Sequence, residues 1–181
     1  MSLRTRKIVY SGVAIALATV AANFLKLPSL PFHGSATLFS MLFICLVGYW
    51  FGPVYGLLAG VAHGMIQFVS NPYILHWLQV ILDYPLAFGA LGLSGFFYKK
   101  KNGLLLGYTV GVLGRFLVAS IAGVIFYTTY TGDFLSDTAA IWAGVLYNMT
   151  YIVPEYIMTM IVLAVPAVRK ALARVKREAV S

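Results

Sequence analysis

Apolar residues along this chain come in long blocks, and the polar residues collect in short breaks between them. Six blocks read as membrane-crossing helices, at about residues 7–25, 36–51, 53–70, 75–98, 103–128 and 139–168. A helix of roughly 20 apolar residues crosses a hydrocarbon core of about 30 Å; the third block is short for this and the sixth long. The breaks hold residues that end helices: KLPSLPFHGS, FGP, SNP, KKKNG and YTGDFLSD, in that order. None has room for a soluble domain. The pattern therefore predicts one all-α membrane domain over residues 1–181, an integral bundle of six transmembrane helices. The first block lacks an A-x-A-type cleavage site and leads straight into further blocks, so it is expected to be a retained helix.

Composition agrees with that pattern, because 61% of the residues are hydrophobic and 10% charged, against about 25% charged in soluble proteins. The net charge of +8 would suggest a nucleic-acid partner if the cations were spread over a soluble surface. They are not. Arg4, Arg6 and Lys7 precede the first span, Lys99, Lys100 and Lys101 follow the fourth, and Arg169, Lys170, Arg174, Lys176 and Arg177 follow the sixth. Cations near span ends stay cytoplasmic, so the N- and C-termini are both expected on the cytoplasmic side of a multi-pass protein. Contact with anionic lipid headgroups accounts for the basic clusters, and no nucleic acid is implied. The lone cysteine, Cys45, excludes a disulfide framework and a cysteine metal cluster. No metal or cofactor is expected.

Three ionisable residues fall inside blocks: Asp83, Arg115 and Glu155. Each costs about 2.5–3.5 kcal/mol at mid-membrane and should face protein, water or ligand. Arg115 with Glu155 or Asp83 as a buried ion pair that only fixes packing is one reading. For Asp83 a ligand is the stronger one. In NPYILHWLQVILDY, Tyr73, His76, Trp77, Val80, Asp83 and Tyr84 recur at three- and four-residue spacings, which predicts one continuous helical face. Asn148, in IWAGVLYNMTY with Trp142, Tyr147 and Tyr151, falls at a depth similar to that of Asp83. A carboxylate and an amide at matching depth under aromatic rings predict an outward-opening pocket. Such a pocket suits a flat, cationic heteroaromatic ligand.

At these residues the chain resembles a known family, the thiamine-specific membrane subunits of energy-coupling factor (ECF) transporters, called ThiT or YuaJ. The resemblance rests on LHWLQVILDYPLAFGALGLSGFF, LGRFLVASIAGVIFY and LYNMTYIVP in that order, and more weakly on HGSATLFSM, which contains Ser35. It implies a six-helix substrate-binding S-component that captures thiamine outside the bacterial plasma membrane. Energy would come from partners: a transmembrane coupling subunit and two ABC ATPase subunits. The chain agrees in lacking G-x-x-x-x-G-K-[ST], the loop that cradles nucleotide phosphates. By the resemblance, Asp83 and Tyr84 contact the ligand, Asn148 is the ligand-binding Asn, Tyr73 a pocket tyrosine and Tyr127 the ring stacked on the thiazolium. Two positions depart from the family, Ala119 where it has a stacking His and Ala143 where it has a pocket Tyr. Trp142 or Tyr147 would have to compensate. Otherwise a thiamine precursor or analogue becomes the alternative substrate.

A small residue at every fourth position, Ala14, Ala18 and Ala22, marks one stripe of the first span, and the resemblance implies that it docks on the coupling subunit. Gly56, Gly60 and Gly64 form a second stripe, read as packing within the chain. A stand-alone proton-coupled transporter using Asp83, Glu155 and Arg115 is the rival class, weakened by the absence of an inverted repeat. An intramembrane enzyme is disfavoured, since there is no H-E-x-x-H, no closely spaced acid pair and no Ser/His set.

Overall fold

The computed structural model describes residues 2–26, 36–131 and 137–181, except the side chains of 127–131, 137 and 140. Helices follow one another along the chain: α1 (Leu3–Phe24), α2 (Ser40–Phe51), α3 (Pro53–Ser70), α4 (Trp77–Phe97), α5 (Gly103–Thr131), α6 (Asp137–Ala164) and α7 (Pro166–Val180). Four stretches are long and apolar enough to cross a membrane: Leu3–Phe24, Trp77–Phe97, Gly103–Phe126 and Ile141–Ala164. The helix Ser40–Phe51 is apolar but shorter.

Two boundaries differ from the sequence pattern. The sixth block does not run to residue 168; α6 ends at Ala164 and Pro166 opens a separate basic helix, because proline cannot supply the N–H that would continue the first one. The fourth helix starts at Trp77, not 75. Pro72 disfavours helix at the residue before it, and His76 caps the new helix by accepting the N–H of Leu78 at 3.2 Å. Tyr73 is therefore off the helix, and the continuous helical face expected over residues 73–84 begins only at Trp77.

Helix α4 departs from α-helical pitch twice. After one α turn, Leu82–Leu86 is π-helical, then Ala87–Gly89 is α-helical and Ala90–Phe97 is a 3₁₀ helix. Pro85 explains the first change. It has no N–H for the carbonyl four residues back, and the wider turn lets the Ala87 N–H reach Leu82 O instead. Glycine spacing explains the second. Gly89, Gly92 and Gly95 recur every third residue, which in a helix of three residues per turn stacks them on one edge. Against that edge lies the Gly56, Gly60 and Gly64 stripe of α3: a Cβ on Gly56 would sit 3.0 Å from the Gly92 Cα, and one on Gly60 3.0 Å from the Gly89 Cα. Backbones meet there with no side chain between, as close helix packing in lipid requires.

The other small stripe is also internal. Ala14, Ala18 and Ala22 are 1%, 0% and 8% exposed, and α1 packs on α2 and α3. In this chain alone, the stripe expected to dock a partner lies in the interior of the bundle. The core around them is Met41, Ile44, Cys45 and Val47 of α2, Leu91 of α4 and Tyr108 of α5.

The basic clusters gather at one end of the bundle. Arg6 donates to Glu178 O and Ser181 Oγ, Lys176 donates to Tyr98 O and lies 3.7 Å from the Tyr49 ring centroid, and Lys7 lies over the Tyr55 ring. These contacts bring the start of α1, the end of α4 and the C-terminal part of α7 together.

Candidate functional site

At the opposite end of the bundle the polar residues converge. Asp83 lies on the π turn of α4, half-buried, and its Oδ2 accepts the Gln79 amide at 2.7 Å. Gln79 is one α-helical turn earlier, 1% exposed, and its own Oε1 accepts the Leu75 N–H at 3.2 Å. The acid is thus tied through one amide to the segment that leads into the helix.

Tyr84 follows on the same turn. Its hydroxyl donates to Asn71 O at 3.0 Å and accepts the Tyr73 N–H at 3.2 Å, and its ring meets Phe68 edge-on at 5.1 Å. The fold therefore brings Tyr73 to Tyr84 although the two share no helical face. Tyr73 itself is 48% exposed.

The α6 residues divide by helical phase. Tyr147 and Tyr151 pack edge-on at 5.6 Å, and both lie within electrostatic range of Asp83. Tyr151 donates to Asn148 Oδ1. Asn148 is 3% exposed, and its amide donates to Gly144 O at 2.9 Å and Ala119 O at 3.1 Å. Both N–H donors are used within the protein, which leaves a lone pair on Oδ1. Trp142 is 62% exposed, and at about 100° per residue it lies some 120° around α6 from Asn148. Of the two aromatic residues that could compensate for the missing rings, Tyr147 is the one near Asp83. Ser35, His33 and the breaks KLPSLPFHGS and YTGDFLSD lie largely outside the described residues, as does the side chain of Tyr127.

A cavity of about 320 Å³ adjoins this group. Lys26 and Asn71 stand at its exposed rim, and Gln67, Phe88, Arg115 and Tyr151 line it deeper. Asn71 and Tyr151 are the same residues that hold Tyr84 and Asn148, so the cavity and the Asp83 group share walls.

Arg115 and Glu155 do not form the ion pair that the sequence allows. Among the described residues the ion pair is Arg174–Glu178, on α7. Glu155 is 2% exposed and caps α2 instead: Oε1 accepts Ser40 Oγ and the Met41 N–H, each at 2.9 Å, and Oε2 accepts Thr37 Oγ1 at 2.8 Å. A carboxylate is favourable there, since a helix N-terminus presents unpaired N–H groups and the positive end of its dipole. Phe39, the residue before the helix, sits at φ 66° in the left-handed region, and its side chain offers no cap. Glu155 does that work from another helix. Arg115 lies 4.2 Å over the Phe88 ring.

Sequence reasoning missed Gln79, Gln67 and the role of Glu155. Gln79 is legible as the residue four before Asp83; the other two are joined to their partners only by tertiary contact.

A family model described as thiamine transporter protein (Thia_YuaJ) matches residues 8–174. The chain belongs to this family. It is 30% identical over 170 residues to the thiamine transporter ThiT of Bacillus subtilis strain 168, covering 86% of this chain and 84% of that one. Its fold matches a solved structure of ThiT from Listeria monocytogenes, with a TM-score of 0.70 and 21% identity over 92% of this chain and 98% of that chain. The family is one of transporters, not enzymes.

Proposed function

We propose that this protein binds thiamine on the outer side of a bacterial plasma membrane and serves as the substrate-capture subunit of an ECF transporter. In this reading α1 to α6 are the six crossings, both termini are cytoplasmic, and basic α7 lies along the inner surface. A transmembrane coupling subunit and two ABC ATPase subunits supply the energy, since the chain has no phosphate-cradling loop of its own.

The observation that carries the reading is Asp83, a half-buried carboxylate on a proline-induced π turn, with Tyr147 and Tyr151 in electrostatic range and Tyr84 on the same turn. Asp83 balances the ligand's positive charge or accepts from its aminopyrimidine. Asn148 contributes its remaining Oδ1 lone pair to the pyrimidine edge. Tyr84, Tyr127 and Tyr147 supply ring faces, and Tyr73 and Ser35 border the site. Trp142 contributes least, given its exposure.

The test is tryptophan fluorescence of the detergent-purified protein titrated with thiamine. Saturable quenching in the wild type that Asp83→Asn shifts to about 10–100-fold higher thiamine supports the reading; a folded wild type that ignores thiamine refutes it.

A precursor or analogue is the second reading, favoured by Ala119 and Ala143. Both present a methyl group where the family has rings. The aminopyrimidine half alone, binding as tightly as thiamine, would establish it.

A further inference from the structure

The cavity beside the Asp83 group holds more positive charge than the capture of a simple cation requires. Arg115 projects a guanidinium whose Nη1 is buried without an acceptor, and the buried Nε2 of Gln67, on the same cavity wall, also has none. Lys26 adds a second cation at the rim, and among the described residues no carboxylate lines the space. The nearby acid is Glu155, within electrostatic range of Arg115, but its two oxygens already accept from Thr37, Ser40 and the Met41 N–H. Glu155 can therefore lower the potential around the guanidinium but does not meet its hydrogen-bonding demand. Buried N–H groups left unpaired are costly, and charged ones more so.

Two orphaned donors and two cations around one cavity describe a complement to an oxyanion. We propose that this cavity is a subsite for a phosphate-type oxyanion, held by the Arg115 guanidinium and the Gln67 amide, with Lys26 at the mouth. A guanidinium presents paired N–H groups that match a phosphate edge, and the Phe88 ring lies against it at 4.2 Å. The subsite shares Asn71 and Tyr151 with the Asp83 group. A single ligand with a cationic ring at Asp83 and an anionic arm can occupy both. This rests on the thiamine reading: the ligand is then a phosphate ester of thiamine, or thiamine accompanied by free phosphate.

Binding of thiamine and of thiamine monophosphate is measured by calorimetry for the wild type, Arg115→Gln and Gln67→Leu, with and without inorganic phosphate. If the phosphate arrives on the ligand, Arg115→Gln weakens the monophosphate at least tenfold and thiamine less than threefold, and Gln67→Leu does the same to a smaller degree. If it arrives free, inorganic phosphate tightens thiamine binding in the wild type and not in Arg115→Gln. Equal losses for both ligands in Arg115→Gln, or an unaltered ligand preference in Gln67→Leu should Arg115→Gln not fold, would overturn the subsite. A wild type that binds neither ligand refutes the thiamine reading instead. In that case thermal unfolding with inorganic phosphate decides the subsite alone, upheld by a rise in Tm that the variants lack and overturned by its absence.

Discussion

Two carboxylates sit within the apolar bundle, and the protein keeps them there in opposite ways. Glu155 is almost fully buried and accepts from three donors, two of them on α2. Asp83 is half-buried on an irregular turn, held by a glutamine, with tyrosines and an outward cavity beside it. Both meet the same cost of a charge in lipid. For Glu155 the compensation is structural and complete, so the residue belongs to the architecture. For Asp83 the exposure leaves a route for solvent or a ligand to take part. The sign and the depth of a charge do not separate these roles; what the surrounding donors are attached to does.

Glu155→Ala should produce the largest effect, because it strands the start of α2 and two hydroxyls that now have a carboxylate. A loss of about 3–5 kcal/mol is expected, by the cost of removing one side of a buried charged network, and read as a large fall in Tm in detergent. If that variant is as stable as the wild type, Glu155 is not an architectural acid and the contrast fails. Asp83→Asn should reverse the pattern, with thiamine affinity falling by about 10–100-fold, since hydrogen bonds to a charged group are worth about 1.5–3 kcal/mol, and with a Tm loss well below that of Glu155→Ala. A comparable Tm loss would make both acids structural.

Tyr84→Phe removes the hydrogen bonds to Asn71 and Tyr73 but keeps the ring. Affinity should drop by about fivefold, in line with about 1 kcal/mol for a neutral hydrogen bond, as measured with labelled thiamine. The smallest effect should come from a pair on α6. Tyr147→Ala weakens thiamine binding several-fold, whereas Trp142→Ala changes it less than about twofold, as the proximity of Tyr147 to Asp83 and the greater exposure of Trp142 imply. The reverse order would move the binding face of α6 by about a third of a turn.

Much of the fold is legible in the order of residues alone. Block lengths and the breaks between them locate the helices to within a few residues, because a bilayer allows few alternatives to an apolar helix. The motifs around Asp83 and Asn148 pick out the family and the neighbourhood of the site. Pro166 is harder to read as a boundary, because the apolar run on either side of it is continuous enough to pass for one helix. Asn148 shows the limit more clearly. Its side chain type suits a ligand, but its N–H groups go to the carbonyls of Gly144 and Ala119, and nothing in the local sequence says so.

The sequence by itself determined the class of protein, the approximate positions of its helices and the clustering of its cations at helix ends, since these depend on local hydropathy and on where cations stop an apolar run. Only the tertiary structure decided that both small stripes lie inside the bundle, which acid caps a helix, and that the Arg115 Nη1 is left without an acceptor. Those outcomes depend on pairs of residues as far apart as Met41 and Glu155 arriving at hydrogen-bond distance. A periodicity records which face a helix buries, but not what the buried face will meet.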